Sequence, residues 1–131
     1  MIFLDTSAIY AWADAADPNH PIAVRRLRVI LETGEGLLTH NYVLVESMAL
    51  LQARLGLAPA IKLAKDATTF VIEWVDEELH ASAIRELEGS KKRHVSLVDH
   101  ISFLVMRRRH LATAFAFDCD FTTAGFRLFA A

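Results

Sequence analysis

Two short apolar runs, near opposite ends of the chain, each stop abruptly at an aspartate. Met1 to Leu4 leads into Asp5, and Ala114 to Phe117 leads into Asp118. An uninterrupted apolar run of this length is typical of a strand that is buried on both faces of a parallel sheet. Binding sites in such sheets lie beyond the carboxyl ends of the strands. The two runs therefore predict one parallel sheet with two carboxylates at the edge where a site is expected.

The chain between these runs alternates between helical periodicity and short strand-like stretches. Glycine, proline and capping residues separate the segments, with Asn41 as a predicted N-cap and Gly56 as a helix end. The predicted helices cover about 8–13, 22–31, 41–55, 59–69 and 76–88 and a segment starting at Ser96, and the predicted inner strands cover 37–39 and 70–75. This order predicts an α/β fold, with a central parallel sheet of four or five short strands flanked by helices on both faces.

Composition sets the broad class of the protein. The 131 residues, 53% of them hydrophobic and 23% charged, predict a single folded domain over residues 1–131 and exclude a disordered chain. Cys119 is the only cysteine, so the fold is not a disulfide scaffold and suits a reducing cytoplasm. The start of the chain does not resemble a secretory signal, and no apolar run is long enough for a membrane span.

Two further acids interrupt apolar segments. Glu46 lies within YVLVESMALL and Asp99 within VSLVDHISFLVM, and no Lys or Arg is adjacent to any of the four acids in the sequence. A buried carboxylate is costly unless it is protonated, paired with a cation or bound to a metal. Carboxylates without Cys or His at ligand spacing favour Mg²⁺ or Mn²⁺ over zinc. Together the four acids predict a metal site suited to phosphodiester cleavage.

Each acid also has a purely structural interpretation when it is considered alone. Asp5 can start a helix-capping turn, and Asp99 has the spacing of a capping box with Ser96. Glu46 can face solvent on a helix, and the segment from Asp118 to Asp120 can be a polar turn. The joint pattern, rather than any single acid, favours a site.

Three segments resemble one known family when they are taken together. MIFLDTSAIYAW, NYVLVESMALL and SLVDHISFLVMRRRHLATAFAFDCDFTTAGF are similar to segments of the PIN-domain ribonucleases, in particular the VapC-type toxins of bacterial toxin–antitoxin pairs. The resemblance covers essentially the whole chain. It implies a PIN-like nuclease domain that cleaves RNA with metal-activated water, a small antitoxin protein as partner, and a homodimer.

The resemblance also implies roles for individual residues. Asp5, Glu46, Asp99 and Asp118 match the four catalytic acids of the family. Of these, Asp5, Asp99 and Asp118 would bind the metal directly, whereas Glu46 would act through water or orient the nucleophile. Either Thr6 or Ser7 would support the first acid. At Asp120 the family often has a histidine, so this acid is either a fifth contributor or part of the turn.

The basic residues are clustered despite a net charge of −2. One cluster, Lys91, Lys92 and Arg93, is predicted to bind RNA phosphates, because local positive patches steer a polyanion more than the total charge does. The histidines, including His100, are interpreted as structural or surface groups.

Two other functions remain open at this point. An Asp-dependent phosphotransferase would also use a strand ending in an aspartate, but no second acid lies two positions after Asp5. A PIN-fold domain that binds RNA or protein without cleaving RNA and without a toxin role is the alternative from a different class.

Overall fold

A five-stranded sheet with the strand order β3-β2-β1-β4-β5 forms the centre of the computed structural model, which describes residues 1–131. All neighbouring strands are parallel, and Leu4 lies opposite Phe115 in the central pair. The strands are β1 (Ile2–Leu4), β2 (Leu37–His40), β3 (Val71–Glu73), β4 (Thr113–Phe115) and β5 (Arg127–Leu128). The predicted α/β fold with a parallel sheet is confirmed.

Seven α-helices connect the strands. They are α1 (Thr6–Ala13), α2 (His20–Glu32), α3 (Asn41–Leu55), α4 (Leu57–Asp66), α5 (Glu77–Gly89), α6 (Leu97–Arg108) and α7 (Asp120–Thr123), with a 3-10 turn at Ala67–Thr69 after α4. The sequence predicted all of these helices except α7, and it missed β5. Both elements are shorter than the window over which hydrophobic periodicity can be recognised. None of the helices combines the length and apolar character needed to cross a membrane.

The prediction that Asn41 caps α3 is wrong. The N-cap is His40, whose Nδ1 accepts a hydrogen bond from the backbone N–H of Val43 at 3.3 Å. The Asn41 side chain instead accepts a hydrogen bond from the backbone N–H of Val75 at 2.7 Å, and it thereby joins α3 to the segment after β3. Gly56 ends α3 as predicted, with a φ of 102° that a residue with a side chain rarely adopts.

The core surrounds the three central strands. Phe3, Leu38 and Ala114 are completely buried, one on each of β1, β2 and β4. His40 is also completely buried, and this burial lowers its pKa to about 3, so the ring is neutral. The Ser102 hydroxyl donates to the Val98 carbonyl, so the contact of 2.8 Å between Ser102 Oγ and His40 requires that His40 Nε2 donates. A neutral histidine with both ring nitrogens hydrogen-bonded therefore lies at the carboxyl end of β2.

Candidate active site

Asp5 lies where β1 ends and α1 begins. Its backbone N–H donates to the Phe115 carbonyl at 3.1 Å, which continues the pairing of β1 with β4. Its side chain caps α1, since Oδ2 accepts from the backbone N–H of Ser7 at 3.1 Å and from Ser7 Oγ at 2.6 Å. Only 5% of the Asp5 surface is exposed. Sheet pairing and helix capping therefore hold this carboxylate in one position.

Ser7 links the ends of the two central strands. While its hydroxyl donates to Asp5, its oxygen accepts a hydrogen bond from the backbone N–H of Phe117 at 2.9 Å. Of the two hydroxyls that were candidates for supporting the first acid, Ser7 is therefore the one that contacts it. Thr6 is buried and instead accepts a long hydrogen bond of 3.4 Å from Ser47 on α3.

Asp99 lies in the first turn of α6, where it forms the capping box that its spacing with Ser96 predicted. Its Oδ2 accepts from the Ser96 backbone N–H at 2.9 Å and from Ser96 Oγ at 3.1 Å. The pKa of Asp99 is nevertheless raised, first by burial and then by the negative charges of Asp118 and Glu46. Capping and proximity to the other acids are thus compatible, because the cap uses only one carboxylate oxygen.

Asp118 and Asp120 face each other in the turn after β4. Asp118 Oδ1 accepts from the backbone N–H of Asp120 at 2.9 Å, so the interpretation of this segment as a polar turn is also correct. Burial raises the pKa of Asp118, and the negative charge of Asp120 adds to this effect. One carboxylate oxygen from each of these residues and Cys119 Sγ lie within 4.8 Å of one another. This turn is therefore a candidate metal-binding segment.

The electrostatic environment of Asp5 shows that the acids share one neighbourhood. The pKa of Asp5 is raised to about 6, first by burial and then by the charges of Asp99 and Asp118, against the opposing effect of the Ser7 hydrogen bonds. Glu46 is half-buried on α3 and acts on the pKa of Asp99. The four acids that the sequence singled out thus share one electrostatic neighbourhood, in which the charges of Asp99 and Asp118 act on Asp5 and that of Glu46 acts on Asp99.

No Lys or Arg forms an ion pair with any of these four acids. Carboxylates that are close together, partly buried and unpaired destabilise one another unless a cation lies among them. The donor set consists mainly of carboxylate oxygens, which suits Mg²⁺ or Mn²⁺. Cys119, an exposed thiol, contributes little to a site for such hard ions.

Two supporting contacts were missed by sequence reasoning. His94 Nε2 lies 3.0 Å from Asp120 Oδ1, although the histidines were interpreted as structural or surface groups. Thr39 on β2 is buried and donates to the Leu4 carbonyl at 2.8 Å, one residue before Asp5. Neither contact has a local signal, because each joins segments that are far apart in the sequence.

The basic segment that was predicted to bind RNA is an exposed loop between α5 and α6. Lys91 and Lys92 line a cleft that also borders Asp120, whereas Arg93 is exposed but does not line this cleft. A phosphotransferase would need a second acid at position 7. This chain has Ser7 there, and the Ser7 hydroxyl is used in the two hydrogen bonds to Asp5 and Phe117.

Comparisons with known proteins agree with this geometry. Residues 2–127 match the PIN domain family. The chain is 37% identical over 128 residues to the 23S rRNA-specific endonuclease VapC20 of two Mycobacterium tuberculosis strains, covering 96% of this chain and 95% of that protein. The crystal structure of M. tuberculosis VapC20, a sarcin–ricin loop cleaving toxin, superposes with a TM-score of 0.85 at 35% identity and 96% coverage of both chains.

Proposed function

The chain belongs to the PIN domain family, and on that premise we propose that it is a metal-dependent endoribonuclease that serves as the toxin of a toxin–antitoxin pair. The observation that carries the proposal is the group of unpaired acids at the ends of the two central strands. Asp5, Asp99 and Asp118 come from separate elements, and each has a pKa raised by burial and by neighbouring carboxylates. Without a cation such a group of carboxylates destabilises the fold, and with a bound metal ion it can support phosphodiester cleavage.

Asp5, Asp99 and Asp118 are proposed to hold Mg²⁺ or Mn²⁺, with Asp120 as a further candidate ligand. When bound, such an ion neutralises the scissile phosphate and lowers the pKa of a water molecule. The chain keeps the three carboxylates in place through separate hydrogen bonds, from Ser7 to Asp5, from Ser96 to Asp99 and from the Asp120 backbone to Asp118.

Glu46 and His94 are proposed to act at the edge of this group. Glu46 is half-buried without an ion pair, which suits a carboxylate that orients the attacking water. His94 holds Asp120 through the contact of 3.0 Å. Its ring is exposed, so it can also meet the substrate.

RNA is the proposed substrate, and the sarcin–ricin loop of 23S rRNA is the first target to test, because relatives that match along the chain are named for it. A loop suits a cleft because its backbone can bend away from a regular helix. A small antitoxin protein, a homodimer and a cytoplasmic location are further parts of the proposal, and they rest on the family.

The proposal is tested with purified protein and an end-labelled RNA that contains the sarcin–ricin loop. Cleavage is expected with Mg²⁺ or Mn²⁺ and not in chelator, and Asp5→Asn and Asp118→Asn should each reduce it by at least ~100-fold, since each removes a charge that binds the metal. Glu88→Gln, which alters an exposed acid on α5, is the matched control and should remain active.

Chelator-resistant cleavage, or full activity of Asp5→Asn, would show that the metal mechanism is wrong. RNA binding without cleavage under all metal conditions would instead favour a binding domain. Mapping the ends of cellular RNA fragments after expression identifies the target, and cleavage elsewhere with an intact sarcin–ricin loop would reject only the proposed target.

A further inference from the structure

An open cleft of about 740 Å³ lies between α5, the loop after it and α6. We propose that this cleft binds the sugar–phosphate backbone of the RNA on one side of the scissile phosphate. The inference rests on the proposed function, because it assigns the path that the substrate takes away from the acids. The residues that carry it are Arg85, Lys91, Lys92 and Arg107 on the walls, with His100 and Asp120 towards the acids.

The four basic side chains are exposed and free of carboxylate partners. None of Arg85, Lys91, Lys92 and Arg107 forms an ion pair, although other cations of the chain do. Arg109, two residues after Arg107, pairs with Glu73 at 3.1 Å. These four cations outnumber the two acids that line the cleft, Glu86 and Asp120, so the unpaired positive charge attracts a polyanion rather than satisfying charges within the protein.

Two of these cations are held in place by contacts that leave their charge intact. The Arg107 guanidinium lies over the Phe126 ring, 5.6 Å from its centre. Arg85 Nη2 donates to the Ser82 hydroxyl at 3.0 Å. A guanidinium that is oriented in advance loses less conformational freedom when it binds a phosphate, and its planar donors match two phosphate oxygens.

The cleft is continuous with the group of acids. Asp120 lines it, and its carboxylate lies within 4.8 Å of the Asp118 carboxylate. His100, which also lines the cleft, is the next residue after Asp99 on α6, and its Nε2 is buried without a hydrogen-bond partner. A strand of RNA cleaved at the acids therefore has a direct path between the basic walls.

The cleft also changes which basic residues are assigned to RNA. Lys91 and Lys92 of the predicted cluster line it, but Arg93 does not, while Arg85 and Arg107 join from the two helices. Its volume lies within the range of about 300–1,000 Å³ of pockets that enclose small ligands, which is enough for a short stretch of nucleotides.

The test measures the affinity of a fluorescently labelled single-stranded RNA by anisotropy, in chelator and over a series of salt concentrations. Arg85→Ala combined with Arg107→Ala is compared with Arg28→Ala combined with Arg108→Ala, which removes the same charge from exposed positions outside the cleft. The cleft pair should weaken binding by roughly 10-fold or more and lower the salt slope by about 1.4, that is, about 0.7 for each phosphate that is no longer neutralised. The control pair should change both values much less.

A second comparison lies within the loop, so that it does not depend on the Arg107 contact with Phe126. Lys92→Ala should weaken binding more than Arg93→Ala, although the two residues are adjacent and both exposed. In cleavage assays with Mg²⁺, the cleft pair should raise KM with little change in kcat, since it contributes binding rather than chemistry.

The outcomes separate the two proposals. Equal salt slopes and affinities for the cleft and control variants of a protein that cleaves RNA would overturn the cleft assignment and leave the proposed function intact. A wild-type protein that neither binds nor cleaves RNA would overturn both. Weaker binding of the cleft variants in a protein that never cleaves would support the cleft and reject the nuclease function.

Discussion

Replacing Asp5 with Asn tests the electrostatic argument for the site through stability rather than activity. In the metal-free protein, burial and the charges of Asp99 and Asp118 raise the pKa of Asp5 from its ordinary value of 3.8 to about 6. At neutral pH the ionised carboxylate is therefore less favourable in the folded than in the unfolded chain. The difference corresponds to a cost of about 3 kcal/mol, at about 1.4 kcal/mol for each pH unit.

Asp5→Asn removes this cost and keeps the cap, because Asn caps helices about as well as Asp and retains an acceptor for Ser7. The buried amide N–H group of the new Asn lacks a hydrogen-bond acceptor, and this offsets part of the gain in stability. We expect the metal-free variant to be more stable than wild type by roughly 1–3 kcal/mol at pH 8, which raises Tm by roughly 3–10 °C for a chain of this size.

The sign of the pH dependence provides a second check. Since the pKa of Asp5 is higher in the folded state, that state binds more protons between pH 3.8 and about 6. The free energy of unfolding of the wild-type protein therefore falls as the pH rises through that window. The variant has no ionisable group at this position, so its free energy of unfolding does not fall for this reason. The gap in stability between the two proteins should be largest above pH 7 and should close towards pH 4.

The assay is thermal or urea unfolding of both proteins in chelator, from pH 4 to pH 8. Asp76→Asn is the matched control, because Asp76 caps α5 in the same way, with its side chain accepting from Leu79, but is exposed. This control should gain no stability. An Asp5→Asn protein that is no more stable than wild type at pH 8, or a gap that does not depend on pH, would refute the argument that burial, with the charges of Asp99 and Asp118, makes the ionised Asp5 carboxylate unfavourable.

Two further predictions concern the supporting hydrogen bonds. Ser7→Ala should destabilise the protein by about 1–3 kcal/mol in urea unfolding, because it leaves the Phe117 N–H without its acceptor, and Ser7→Thr should recover most of this stability. A Ser7→Ala protein as stable as wild type would contradict the bridging role. Because burial holds the pKa of His40 at about 3, imidazole NMR should show a neutral ring with the proton on Nε2 from pH 5 to pH 8, and an imidazolium signal at pH 6 would contradict this.

The order of the main helices and strands could be predicted from the sequence, because the signals that indicate them lie within short segments. The apolar runs that end at Asp5 and Asp118 predicted β1 and β4, and helical periodicity together with capping and helix-end residues predicted six of the seven helices. The parallel sheet followed in turn, since strands separated by helices cannot pair as hairpins. Short elements escaped prediction, because α7 and β5 contain too few residues to show a period.

The four acids were recognised in the sequence because an acid inside an apolar segment is conspicuous. Which partners they meet was decided by the tertiary structure. The sequence left Thr6 and Ser7 as equal candidates, and only the pairing of β1 with β4 places the Phe117 N–H beside the Ser7 hydroxyl. For Asp99, the capping box and the acidic site were opposing interpretations in the sequence. In the structure, its carboxylate forms the capping box with Ser96 and is also close enough to Asp118 and Glu46 for their charges to raise its pKa.

The sequence by itself determined the fold class, the choice of the four acids as candidate site residues and the family resemblance, because each depends on residue type and on spacing within a short segment. Only the tertiary structure decided that His40 rather than Asn41 caps α3, that His94 contacts Asp120, and that the loop lysines share a cleft with Arg85 and Arg107. These contacts join residues from different helices, strands and loops. Their geometry depends on how the elements pack against one another, and neither residue type nor local spacing encodes that packing.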